Sequence, residues 1–76
     1  MANKRKHGID FYEVRSLWED PERVVIPAEV SGEKRYLLIG KIERTHWSVI
    51  FTYRGERVRI ISARRARKEE KVIYES

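Results

Sequence analysis

Cysteine is absent from all 76 residues, so neither a disulfide framework nor a thiolate zinc site can stiffen the fold. Proline occurs twice and glycine four times. That excludes a proline-rich linker, and no glycine-rich phosphate loop is spelled out. No apolar run approaches the roughly 20 residues a membrane-spanning helix needs. The opening Met1-Ala2-Asn3-Lys4-Arg5-Lys6 has no signal-peptide core, and the chain is read as cytoplasmic. There is no histidine pair at metal spacing and no dense carboxylate cluster to hold magnesium. The expectation is therefore no metal and no cofactor. Internal repeats and low-complexity segments are also missing.

What is present is a basic, core-forming composition. Seventeen Lys and Arg against twelve Asp and Glu give a net charge of +5, and 41% of residues are hydrophobic. The apolar fraction suffices for one small domain over residues 1–76, with a single thin core. The charge favours a polyanion or an acidic protein as partner. A basic but merely soluble surface is the plain alternative.

Periodicity orders the chain. Asp10 followed by Glu13 reads as a capping box, and Phe11, Val14, Leu17 and Trp18 fall on one helical face. Asp20-Pro21 ends that helix. Four β-prone runs follow: Val24-Val25-Ile26 with Pro27 at its edge, Arg35 to Ile42, Trp47 to Tyr53, and Arg57 to Ser62. Short turns at Ser31-Gly32-Glu33, Glu43 to Thr45 and Arg54-Gly55-Glu56 make them antiparallel neighbours. The expected architecture is α+β: an N-terminal helix, a four-stranded antiparallel meander and a C-terminal helix, with both helices on one sheet face. Trp47, Val49, Phe51 and Tyr53 share a face that reads as core, although Tyr36 and Tyr53 would suit base stacking if exposed. On the last strand, alternation sets Val58, Ile60 and Ser62 against Arg57, Arg59, Ile61 and Ala63.

The segment "ARRARKEEKVIYES" reads as a helix opening on Arg64, Arg65 and Arg67. Cations there oppose the helix dipole, and Arg64 with Lys68 and Arg67 with Lys71 are like-charge pairs costing ~0.2–0.5 kcal/mol each. A bound anion would resolve the conflict. Free N–H groups of the helix start, with guanidinium forks from Arg59 and Arg64, would hold a phosphate. Simple solvation and salt screening of these arginines is the competing explanation. Lys6-His7-Gly8 offers a proton donor or phosphate clamp, or else a solvated basic arm. His46, in a turn beside Trp47, is the lesser candidate.

Taken in order, "NKRKHGIDFYEV", "EDP", "GEKRYLLIG" and "SVIFTYRGERVRIISARRARKEEKVIY" resemble the BrnT family of bacterial type II toxin–antitoxin ribonucleases. The most specific pieces are Lys6-His7-Gly8-Ile9 with Phe11, Arg35-Tyr36 before Ile39-Gly40, and Arg59 to Arg64 with Ala66. The resemblance implies a RelE-like fold and RNA cleavage that inhibits growth. It also implies neutralisation by a ribbon–helix–helix antitoxin, through which DNA is contacted. The family usually begins with an aromatic-Trp-Asp stretch ahead of the segment matching Asn3. The connection from Pro27 to Glu33 also lacks the acidic, often His-containing loop of the family. The resemblance therefore implies a form without the usual first element.

The implied chemistry is attack of a ribose 2′-hydroxyl on its adjacent phosphate, which needs a base, an acid and cations for the developing charge. Arg59 and Arg64 are the expected phosphate stabilisers, His7 the proton-transfer group and Lys6 a clamp or alternative acid. Arg54, Arg57, Ser62, Arg65, Arg67, Lys68 and Tyr74 are the expected substrate-binding residues. The rival functions are a non-catalytic basic nucleic-acid-binding module and a protein-interaction domain that docks an acidic partner.

Overall fold

The structure, a computed structural model, describes residues 9–76. Helix α1 spans Phe11–Ser16 and continues as a 3₁₀ turn over Leu17–Glu19. Its start is the expected capping box: Asp10 Oδ1 accepts the Glu13 N–H at 2.9 Å, and Glu13 Oε1 accepts the Asp10 N–H at 3.1 Å. Helical geometry stops at Glu19, with Asp20 extended before Pro21, as the steric demand of proline requires.

Four strands follow: β1 (Val24–Val30), β2 (Glu33–Ile42), β3 (Thr45–Arg54) and β4 (Arg57–Arg65). They form one antiparallel sheet in the order β1-β2-β3-β4. β1 runs on through Pro27, which lies opposite Tyr36 in an edge strand, where a missing N–H donor is tolerated. The chain closes with α2 (Lys68–Glu75).

All three hairpins turn through two residues. Ser31 and Gly32 both have positive φ (53° and 79°), whereas Glu43 (56°) and Gly55 (62°) are each the first loop residue of their hairpins. Glycine accepts that conformation freely, but a glutamate at 43 crowds its own Cβ against the backbone. Glu43→Gly is therefore expected to stabilise the domain by about 0.5 kcal/mol, the strain relieved less the extra unfolded-state entropy of glycine. A raised urea midpoint checks it, and a lowered one contradicts it.

The core lies between α1 and one face of the sheet. Ile9, Val14 and Leu17 pack on Leu38, Trp47, Val49 and Phe51, with Trp18, Tyr36, Ile42, Ile60 and Ala63 at its margin. Gly40 permits the closest approach: a Cβ there would stand 3.0 Å from Leu17 Cδ2. Phe51 contacts the rings of Trp18, Tyr36 and Tyr53 at centroid distances of 5.1, 5.4 and 5.7 Å. The aromatic face is thus core as expected, except that Tyr53 at the strand end is exposed.

Two expectations are corrected. The helices do not share a face. Trp47 and Val49 pack under α1, while the alternating His46 and Ser48 point the other way and bond to Glu75 and Glu70 of α2. α2 has too few apolar residues for a core face and buries none completely; it docks largely through polar groups, on the face where Ile39 of β2 is fully buried. The alternation read for β4 also fails beyond Ile60. Phe51 lies opposite Ile60, and Ile50 opposite Ser62, so Ile61 is the extra residue of a β-bulge. The bulge moves Ala63 to the core side and puts Ser62 and Arg64 on the same outer face as Arg57 and Arg59.

Candidate functional site

The sheet face opposite the core carries the basic residues. Along β4 lie Arg57, Arg59, Ser62 and Arg64, paired with Arg54, Thr52, Ile50 and Ser48 of β3. Arg35 of β2 joins them, since it alternates with Tyr36, which lies opposite the core residue Phe51. A groove of about 650 Å³ opens here, lined by Arg35, Arg54, Arg59, Lys34, Thr52 and Ile61 among others. Thr52 donates its hydroxyl to the Lys34 carbonyl at 2.9 Å and ties the floor of the groove together.

Three arginines therefore line one concavity, with Glu33 as the acidic member of its lining. Glu33 Oε1 lies 3.5 Å from Arg35 Nη2 and is well exposed. The Arg35 Nε is buried without a hydrogen-bond partner. Arg54 and Arg59 are exposed and have no acidic partner among the described residues. An unpartnered buried N–H is costly, and a fork of guanidinium groups matches the oxygens of a phosphate. The chemistry of this lining suits an anion.

The strand–helix joint differs from what the sequence suggested. Arg64 and Arg65 belong to β4, Arg67 is the N-cap of α2, and the first turn of the helix carries Glu69 and Glu70. The dipole conflict inferred from three arginines opening a helix does not arise, because the strand runs three residues further than Ser62. Ladder bonding to β3 and the buried position of Ala66, whose N–H donates to the His46 carbonyl at 3.0 Å, extend it.

Arg64 is occupied. Its Nη1 and Nη2 each donate to Glu70 at 2.8 Å, to Oε1 and Oε2 respectively. The same carboxylate accepts the Ser48 hydroxyl and the Arg67 N–H, both at 2.7 Å. These bonds, the Arg64 fork foremost, outweigh the effect of burial and hold Glu70 down at about 2, while Arg64 is raised above its ordinary value. The structure therefore brings Arg59 together with Arg54 and Arg35, and Arg64 together with Ser48 and Glu70. It does not bring Arg59 and Arg64 around a single anion.

The other expected residues are distributed as follows. Ser62 is exposed between the two clusters, and Arg57 lies beside Arg54 at the hairpin end. Arg65 falls on the core side, its guanidinium 5.9 Å from the centre of the Trp47 ring. Arg67 and Lys68 are exposed at the start of α2. Tyr74 donates its hydroxyl to Asp20 at 2.7 Å, and burial together with that bond pushes it up to about 12. Asp20 also accepts the Lys41 and Glu22 N–H groups, both at 2.9 Å. Although burial opposes it, these bonds and Arg23 hold Asp20 below the ordinary range. His46 bonds Glu75 at 2.8 Å and meets Tyr74 edge-on. Lys6 and His7 lie outside the described residues. Among the described residues no group of three or more His, Asp or Glu side chains could hold a metal ion, and no helix is long and apolar enough to cross a membrane.

Reading the sequence alone missed Arg35, Ser48 and Glu70 as site residues. Arg35 had a signal, an arginine two positions before Leu37 on a long strand. Ser48 had one too, a hydroxyl between Trp47 and Val49. Glu70 had none, because its partner is six residues away through a strand–helix turn.

Acid should undo the attachment of α2. Glu70 titrates lower in the folded chain than the ordinary value of 4.5. Its stabilisation is therefore complete above about pH 4.5 and is lost as pH falls toward about 2. The loss is up to roughly 3 kcal/mol. Amide exchange across α2 should quicken over that range ahead of the central strands. Unchanged α2 protection at about pH 2 would contradict this.

Comparison with known proteins places the chain in a family. A search of curated proteins returned no match. A family model described as "Ribonuclease toxin, BrnT, of type II toxin-antitoxin system" matches residues 1–70, nearly the whole chain. The chain belongs to the BrnT family of ribonuclease toxins of type II toxin–antitoxin systems.

Proposed function

We propose that this toxin cuts RNA without a metal ion, on the sheet face that carries Arg35, Arg54 and Arg59. The observation that supports the reading most is the groove lined by these three arginines and Thr52. In the proposed reaction the ribose 2′-oxygen bonds to phosphorus as a base takes its proton. The bond to the 5′-oxygen breaks as an acid protonates the leaving group. The products are a 2′,3′-cyclic phosphate and a 5′-hydroxyl. Charge grows on the non-bridging oxygens, and guanidinium groups stabilise it there. Arg59 is assigned to that task, with Arg54 and Arg35 positioning the phosphate. Arg64 is held on the same face as a second cation. His7 and Lys6 are assigned to proton transfer. Arg57 and Ser62, with Arg67 and Lys68 further along, extend the binding track. The neutralising partner is proposed to be a ribbon–helix–helix antitoxin, with any DNA contacted through it.

The test is incubation of the purified chain with RNA and with DNA of the same sequence, with and without a chelator. Cleavage of RNA alone, unaffected by the chelator and leaving cyclic phosphate ends, is expected. Salt-dependent binding without scission would identify a non-catalytic binding module instead. Growth arrest on induction, relieved by co-expression of a neighbouring ribbon–helix–helix reading frame, would establish the partner.

A further inference from the structure

The carboxylate of Glu70 is held as a substrate anion would be held. Four donors converge on it: two from the Arg64 fork, the Ser48 hydroxyl and the Arg67 N–H. Arg64 and Ser48 sit directly opposite one another on β4 and β3, so the sheet fixes their positions. Ser48 is fully buried, and its hydroxyl is committed to this one acceptor. The carboxylate, by contrast, is carried by α2, which buries no residue completely. α2 is attached through the polar contacts Glu70 to Arg64 and Ser48, Glu75 to His46, and Tyr74 to Asp20. Donors fixed by the sheet and an acceptor carried on a separate helix held largely by polar contacts make an exchangeable pair.

The cradle also lies on the groove's side of the sheet. The bulge at Ile61 turns Arg64 to the face of Arg59, and five residue steps along β4 separate the two by about 15 Å. A single strand whose phosphate sits at Arg59 and which follows β4 reaches Arg64 next, past the exposed Ser62.

We propose that Arg64 and Ser48 form a second phosphate subsite of the RNA-binding face, filled in the free toxin by the protein's own Glu70, which RNA displaces as α2 lifts. This rests on the reading that the face binds RNA, and it adds that the closing helix competes for the substrate's place. The free toxin is thereby restrained by an internal mimic of its ligand.

The test uses the full chain and a 2′-O-methyl RNA oligonucleotide, which keeps the RNA backbone but has no free 2′-hydroxyl and cannot be cut. In the wild-type protein, binding should cost α2 amides their protection from exchange while β3 and β4 amides keep theirs. Glu70→Gln should bind the oligonucleotide about tenfold more tightly, and Arg64→Ala in that background should abolish the gain. Tyr74→Phe, which loosens the helix without touching the cradle, should strengthen binding in the same direction. Salt-dependent binding with unchanged α2 exchange and a Glu70→Gln affinity within about twofold of wild type overturns this inference and leaves the groove intact. No binding at all overturns both.

Discussion

Arg59→Ala is expected to lower the rate of RNA cleavage by about 10²–10³, the usual cost of removing one placed donor to a developing oxyanion. The effect belongs to chemistry rather than folding. Arg59 is exposed and has no acidic partner among the described residues, so its truncation should alter stability by less than about 0.5 kcal/mol. Arg59→Lys keeps the charge but loses the planar fork, and an intermediate rate is expected. Single-turnover cleavage of a short RNA, with the thermal midpoint measured alongside, separates the two kinds of loss. A folded Arg59→Ala protein that cut RNA at the wild-type rate would remove Arg59 from the phosphate site. Arg35 would then be the next candidate, because its Nε is the buried donor in the groove without a partner.

Phe51→Ala should be the most damaging core substitution. Phe51 is 1% exposed and contacts the rings of Trp18, Tyr36 and Tyr53, so it joins the segment after α1 to β2 and β3. Removing a buried phenyl ring typically costs about 3–5 kcal/mol. A domain of 76 residues is expected to hold only roughly 4–11 kcal/mol in total. Urea unfolding should therefore show a variant near the edge of stability, and loss of activity in it would reflect unfolding. A cost below about 1.5 kcal/mol would mean that the rings around it close the gap.

The order of elements was legible because each has a local physical signature. Asp10 with Glu13 announces a helix start through two backbone bonds three residues apart. Asp20-Pro21 announces its end through a steric clash. The alternation of Trp47, Val49, Phe51 and Tyr53 identifies the core face of a strand from its period alone. Basic residues on the outer side of the last strand were legible too, since Arg57 and Arg59 alternate with Val58 and Ile60. The family resemblance was carried by motifs spread along the chain, and the match over residues 1–70 agrees with it.

Composition and local periodicity thus determined by themselves that this is a basic α+β domain with a helix–meander–helix order, suited to an anionic partner. The tertiary structure decided which cations face one another. One inserted residue at Ile61 reverses the side chains that follow it, a shift no alternation count can foresee, and so aligns Arg64 with Arg59. It also decided that Arg64 is already engaged. The carboxylate that holds it returns on a separate helix, and a contact made through space leaves no spacing rule in the chain.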